Sequence, residues 1–134
     1  MNITEKLLKI DKKRFEEIPT RTYKSKVLSD IVGEDVELTL KVTDSTELVK
    51  LSKKASDSDE MKQMEAIRLI CVMGIADPDL KSVELKNKLG LDEKSTPIEV
   101  IEKLWGKRQL ELIDIATEIL RLHGLSTKTQ EIQD

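Results

Sequence analysis

At 134 residues, 38% of them apolar, the chain is long enough for one domain with one hydrophobic core. Its 23 basic and 26 acidic residues leave a net charge of −3, which argues against a general nucleic-acid binder. Three aromatic residues are too few for a stacking site, and one cysteine with one histidine forms neither an internal disulfide nor a usual zinc cluster.

The N-terminal stretch lacks the apolar run of a signal peptide. No later stretch approaches the roughly 20 apolar residues that are needed to cross a bilayer. We therefore expect a cytoplasmic protein, with neither a membrane nor nucleic acid among its partners.

Residues 1–19 are predicted to form a short amphipathic helix, or an arm that becomes ordered only on a partner. The apolar positions that support a helix are Ile3, Leu7, Leu8, Ile10, Phe15 and Ile18, and a charged stretch at 11–14 interrupts them. Pro19 ends this segment. Residues 21–43 then alternate between apolar and polar, which predicts two antiparallel strands, with one helical turn closed by Gly33 between them.

Residues 44–123 show the three- and four-residue apolar spacing of helices. Thr96 and Glu99 form a capping box around Pro97, so one helix should begin there. Asp79 is the expected cap of the preceding helix, and residues 125–134 are predicted to be a disordered tail. We predict helices over about 44–55, 60–76, 80–89, 97–105 and 110–122.

The predicted fold class is α+β and predominantly α-helical. A small antiparallel two-stranded unit near the N-terminus should pack on a bundle of about five helices, because two strands alone are marginally stable. Residues 20–124 would form a single globular domain, with the β-hairpin-like unit at 21–43 and the helical bundle at 44–123.

No pattern in the sequence predicts a catalytic, cofactor or metal site, and we expect a protein without enzyme activity. Cys71 lies in the most apolar predicted helix, which predicts a buried inert thiol. His123 falls in the last turn of a helix, where a cation favours the dipole. The carboxylates of the last two predicted helices are interpreted as solvated; they are Glu99, Glu102, Glu111 and Asp114.

The candidate partner-binding residues are apolar side chains on the long helices. Met61 and Met64 either form an adaptable binding stripe or fill the core. Trp105 either fills the junction of the last two helices or anchors a partner. The last helix has a wide apolar surface that a partner, a second copy or the rest of the bundle could cover. The candidates are Trp105, Leu110, Ile113, Leu120, Met61 and Met64.

Residues 79–105 also admit a helix-turn-helix, which would make the protein a small DNA-binding regulator. The connection at 90–95 is longer than the usual three or four residues, and the second helix would direct Glu99 and Glu102 at phosphates.

The order of elements resembles the XkdN-like phage tail assembly chaperones. The resemblance covers about residues 20–123 and rests on the strand-turn-strand at 23–42, with Gly33-Glu34-Asp35-Val36, and on the stretch at 76–85. A Leu-Gly-Leu, a Pro-capped helix and a glycine-containing junction into a final helix follow in the same order. The Trp105-Gly106-Lys107 junction differs from the Pro-Gly-Glu found in many members.

The resemblance implies a non-catalytic protein of a phage, prophage or tail-like particle, made in the bacterial cytoplasm. It implies binding to the tape measure protein, with the tail tube protein as a further candidate partner, and absence from the mature particle. A structural tail or baseplate component is the alternative within the same setting.

Overall fold

The computed structural model of the chain describes residues 2–125, so the predicted tail from residue 126 onward lies outside the described residues. The helices and strands, in chain order, are α1 (Ile3–Leu8), α2 (Lys13–Glu16), β1 (Thr20–Ser25), α3 (Lys26–Val32), β2 (Val36–Lys41), α4 (Ser45–Lys54), α5 (Glu60–Gly74), β3 (Ile75–Asp77), α6 (Val83–Lys88), α7 (Pro97–Trp105) and α8 (Glu111–Leu122). No helix within residues 2–125 has the length and apolar character that spanning a membrane requires.

The sheet has three antiparallel strands in the order β1-β2-β3, so the prediction of a two-stranded unit is wrong. The third strand is only three residues long and follows α5 directly. Because Ile75 continues the apolar spacing of α5, the sequence pattern predicted a helix to about residue 76, which includes the first two residues of β3. In β2, Leu38 and Leu40 are fully buried, and the residues between and beside them form the opposite face.

Side-chain caps set the start of most helices. The Thr96–Glu99 capping box is present, and the Asp44 carboxylate accepts hydrogen bonds from the backbone of Thr46 and Glu47. The predicted start of α6 at Leu80 is wrong. The Ser82 hydroxyl caps the helix, whereas Asp79 caps the turn before it.

The turn predicted between the first two strands is a full helix, α3. The Ser25 hydroxyl accepts a hydrogen bond from the Leu28 backbone at 3.1 Å, and Gly33 ends the helix with a φ of 89°. Val27, which was predicted to lie in a strand, is buried on this helix. Eight helices are present within residues 2–125, and five of them, α4 to α8, lie in the region where a bundle of about five was predicted.

The core lies where α5 packs against α4, α7 and α8, with α8 also against β1 and β2. A Cβ atom on Gly74 would come within 2.4–2.7 Å of carbons of the Ile119 side chain. Helices α5 and α8 therefore depend on a glycine for their close approach at this point. Leu125, one residue beyond the predicted domain boundary, is half-buried against the same core.

The N-terminal segment at residues 2–18 contributes nothing to the core. Neither α1 nor α2 has a buried residue. The large apolar side chains of this segment are mostly exposed; they are Ile3, Leu7, Leu8, Phe15 and Ile18.

Candidate partner-binding surfaces

The six predicted partner-binding residues divide between the core and the surface. Trp105 and Leu120 are only 1% and 6% exposed. Of the two roles predicted for Trp105, the structure therefore favours filling the junction of α7 and α8, and neither side chain is accessible to a partner. Met61 and Leu110 are 83% and 76% exposed, Ile113 is exposed, and Met64 is half-buried.

Met61 and Met64 lie on α5, whereas Leu110 directly precedes α8 and Ile113 lies in its first turn; the two helices pack together. Met61 and Met64 line a shallow depression of about 300 Å³ together with Glu60 and Arg68. The Arg68 Nε atom donates a hydrogen bond to Gln109 Oε1 at 2.8 Å, next to Leu110 in the chain. We call Met61, Met64, Leu110 and Ile113 the methionine surface.

A second depression, of about 230 Å³, lies between α3 and the segments that contain α6 and α7, and we call it the apolar groove. Helix α3 supplies Ile31 and Val32, and Leu85 and Leu104 come from α6 and α7. Glu37 and Asp77 contribute two carboxylates, and the remaining lining residues are Leu28, Val36 and Pro78.

One wall of the groove is the last turn of α3, whose apolar side chains are not covered by the rest of the protein. Val27 and Leu28 face the core, whereas Ile31 and Val32 remain 64% and 59% exposed. Gly33 then takes the left-handed conformation and turns the chain into β2. Ile31 and Val32 were not among the partner-binding residues predicted from the sequence. The available signal was the pair of adjacent branched apolar side chains directly before a helix-ending glycine.

Glu111 is not a solvated carboxylate, and that interpretation of the sequence is wrong. Its Oε1 atom accepts hydrogen bonds from the Ser25 hydroxyl at 2.5 Å and the Trp105 indole at 3.0 Å. Its Oε2 atom accepts from the backbone N–H groups of Lys26 and Val27 at 2.8 and 3.2 Å. We call these contacts the Glu111 network.

The Glu111 network stabilises the wall of the apolar groove. A carboxylate at a helix N-terminus interacts favourably with the helix dipole and with N–H groups that lack a partner within the helix. Glu111 provides this contact to α3 from α8, and through Trp105 it also holds the end of α7. Both helices contribute side chains to the groove, so the network fixes their positions relative to each other.

Burial raises the pKa of two further side chains, Tyr23 and Cys71. Burial raises the pKa of Tyr23 to about 12, and the negative charge of Glu111 adds to the effect. Burial also raises the pKa of the Cys71 thiol, and its Sγ lies 3.4 Å from the carbonyl oxygen of Leu112. The prediction of a buried thiol is confirmed.

His123 connects the end of α8 to the segment after β2. The backbone N–H of Thr43 donates to Nε2 at 2.8 Å, and Nδ1 lies 2.9 Å from the carbonyl oxygen of Ile119. The Nε2 atom also lies 3.2 Å from the carbonyl oxygen of Thr43, so the ring contacts both backbone groups of that residue. These contacts give His123 a structural role beyond the helix-end charge that the sequence predicted.

The buried polar side chains in the described part of the chain all have hydrogen-bond partners. Within residues 2–125, no buried side-chain nitrogen or oxygen lacks a hydrogen-bond partner. The same residues include no group of three or more His, Cys, Asp or Glu side chains placed to hold a metal ion. The candidate functional features described within residues 2–125 are the methionine surface and the apolar groove.

Comparison with known proteins supports the fold and does not extend to function. No protein-family model matches the chain, and no curated protein matches it. The crystal structure of the protein YqbN is similar to it, with a TM-score of 0.52 and 16% sequence identity. The similarity covers 82% of this chain and 90% of the YqbN chain. At this identity the similarity establishes a shared fold alone.

Proposed function

We propose that the protein is a non-enzymatic tail assembly chaperone of a phage, prophage or tail-like particle. The observation that carries the proposal is the apolar groove, where Ile31 and Val32 stay largely exposed on a helix whose other face is buried. The motifs that resemble the XkdN-like chaperones support it as well. The proposed client is a helical segment of the tape measure protein.

Binding would follow the helix-in-groove mode, in which an amphipathic helix places its apolar face in a depression on its partner. Fully burying an aliphatic side chain contributes roughly 1.5–3 kcal/mol. Since Ile31 and Val32 are already partly covered, we expect each to contribute about 1–2 kcal/mol to client binding. The methionine surface would serve as a second contact area.

In this proposal the protein acts in the cytoplasm of the bacterial host and is absent from the mature particle. The tail tube protein is a further candidate partner, because the tube polymerises around the tape measure protein. Self-association through either apolar surface is compatible with the same role.

Co-expression with the tape measure protein of the same genome tests the proposal. The wild-type chain should co-purify with the tape measure protein and increase its soluble fraction. The double substitution Ile31→Asp/Val32→Asp should reduce both, since it places two charges in the groove. The matched control is Met61→Asp/Leu110→Asp, which changes two exposed apolar residues on the methionine surface.

Together with the wild type, the two variants distinguish whether the protein binds the client at all from which surface binds it. Loss of capture in the control alone would move the client to the methionine surface. No capture and no gain in solubility with the wild-type chain would contradict the proposed function itself. Circular dichroism of each variant should match the wild type, because all four residues are on the surface.

The two alternative functions predict different results. A structural tail or baseplate component would be found in purified mature particles. A DNA-binding regulator would give a gel shift that survives roughly 0.2 M salt. In the structure α7 exposes Glu99 and Glu102, which would repel phosphates, so the helix-turn-helix interpretation gains no support from this helix.

A further inference from the structure

We infer that the apolar groove selects basic amphipathic helices, in which lysine or arginine residues beside the apolar stripe pair with Glu37 and Asp77. This inference rests on the proposed function, because it specifies the chemistry of the client at the same site. It follows from the position of the two carboxylates, from the absence of an ion pair to either of them within residues 2–125, and from the apolar lining between α3, α6 and α7.

Glu37 and Asp77 are both exposed, and neither forms an ion pair with any residue in the 2–125 range. The cation nearest in register is Lys24, which is opposite Glu37 in the β1–β2 pair. Its Nζ atom instead lies 3.1 Å from the carboxylate of Asp35. Among the described residues, none therefore neutralises the two groove carboxylates by an ion pair.

Glu37 and Asp77 lie on neighbouring strands of the sheet. Glu37 and Thr39 lie on the same face of β2, and Thr39 pairs with Asp77 in β3. Glu37 and Asp77 are thus diagonal neighbours beside a register shift between Thr39 and Leu40, and in a regular sheet such residues are about 7–8 Å apart. Residues four apart in an α-helix are separated by about 6 Å along its axis. Two lysines at i and i+4 of a bound helix could therefore reach both carboxylates.

Apolar side chains line the groove on two sides. Ile31 and Val32 are exposed on one side of the groove, and Leu85 and Leu104 lie on the other. Apolar side chains three and four residues apart on a client helix would enter between them. The favoured sequence thus combines an apolar i, i+3, i+4 pattern with neighbouring basic residues. An acidic helix with the same apolar pattern would be repelled.

The N-terminal segment of this chain also combines exposed apolar residues with basic neighbours, as the favoured client helix does. Leu7 and Leu8 are exposed and lie next to Lys6 and Lys9. Docking of that segment in the groove of a second copy is thus the competing occupant. It predicts self-association that depends on protein concentration and on Glu37 and Asp77. The experiment below includes this outcome.

The test measures binding of two synthetic helical peptides of about 18 residues to the full chain by fluorescence anisotropy. Both peptides have the same leucine pattern, and one has lysine where the other has glutamate. An exposed ion pair contributes up to roughly fivefold in affinity, so two pairs should favour the lysine peptide by about tenfold or more. The preference should shrink as salt is raised.

The decisive variant is Glu37→Lys/Asp77→Lys, which should reverse the preference. Its control is Glu47→Lys/Glu93→Lys, which changes the net charge equally, at exposed residues that do not line the groove. The control should keep the wild-type preference. If both variants lose the preference for the lysine peptide equally, the inference is overturned, since the change in net charge alone would explain the loss.

Two other results would overturn the inference. One is equal affinity of the wild-type chain for the two peptides. The other is wild-type self-association, measured by sedimentation, that Glu37→Lys/Asp77→Lys abolishes, since this would assign the groove to a second copy. If Ile31→Asp/Val32→Asp still prevents tape measure capture while the peptides bind equally, the proposed function stands and only the charge selection fails.

Discussion

Replacement of Glu111 should destabilise the fold far more than replacement of any solvated carboxylate on the same helix. Glu111→Ala removes the acceptor of the Ser25 hydroxyl, the Trp105 indole and two backbone N–H groups at the start of α3. Glu111→Gln keeps one oxygen at nearly the same place but loses the negative charge. The two variants therefore separate the loss of hydrogen bonds from the loss of charge.

The expected magnitude follows from burial. A buried donor that is left without an acceptor costs about 1–3 kcal/mol. Ser25 and Trp105 are 0% and 1% exposed, so water cannot replace Glu111 at either donor. We expect Glu111→Ala to lower the free energy of unfolding by about 2–6 kcal/mol, and Glu111→Gln by about 1–3 kcal/mol. Typical domains have 5–15 kcal/mol in total.

Urea unfolding followed by the fluorescence of Trp105, the single tryptophan of the chain, measures these values. The control is Glu118→Gln on the same helix, where Glu118 forms surface ion pairs with Arg21 and Arg121. Such pairs contribute about 0–1 kcal/mol. If Glu111→Gln and Glu118→Gln unfold at the same urea concentration, the account of the Glu111 network is wrong.

Two further predictions concern the core. Tyr23 is the single tyrosine, so near-ultraviolet phenolate absorbance should report a midpoint near pH 12. Because the unfolded chain loses this proton near pH 10, Tyr23 should lower the stability as pH rises from about 10 to 12; a midpoint near 10 without unfolding would contradict this. Gly74→Ala should destabilise the fold by about 1–3 kcal/mol, because its Cβ would overlap Ile119. Combining it with Ile119→Ala should cost less than the sum of the two single changes in urea unfolding, and strict additivity would argue against that contact.

The parts of the fold that could be predicted depend on short-range patterns. The Thr96–Glu99 capping box spans four residues, so its spacing alone identifies the start of α7. The start of α6 was ambiguous because Asp79 and Ser82 are both good caps three residues apart. The strand β3 was missed because three residues are too few to establish an alternating pattern that differs from the preceding helix.

The candidate site was harder to predict because its contacts are distant in the chain. Glu111 and the backbone N–H of Lys26 are 85 residues apart, so no local spacing reveals that α8 caps α3. Exposure of Ile31 and Val32 likewise depends on which side of α3 the core lies. The methionine surface was partly predicted, since Met61 and Leu110 are exposed, whereas burial of Trp105 follows from the packing of the α7–α8 junction.

The most direct test of the central claim is co-purification of the full chain with the tape measure protein of its own genome. The account predicts a soluble complex with the wild-type chain, and its loss with Ile31→Asp/Val32→Asp while Met61→Asp/Leu110→Asp retains it. A tape measure protein that stays equally insoluble with and without the wild-type chain, with no complex recovered, would contradict the account.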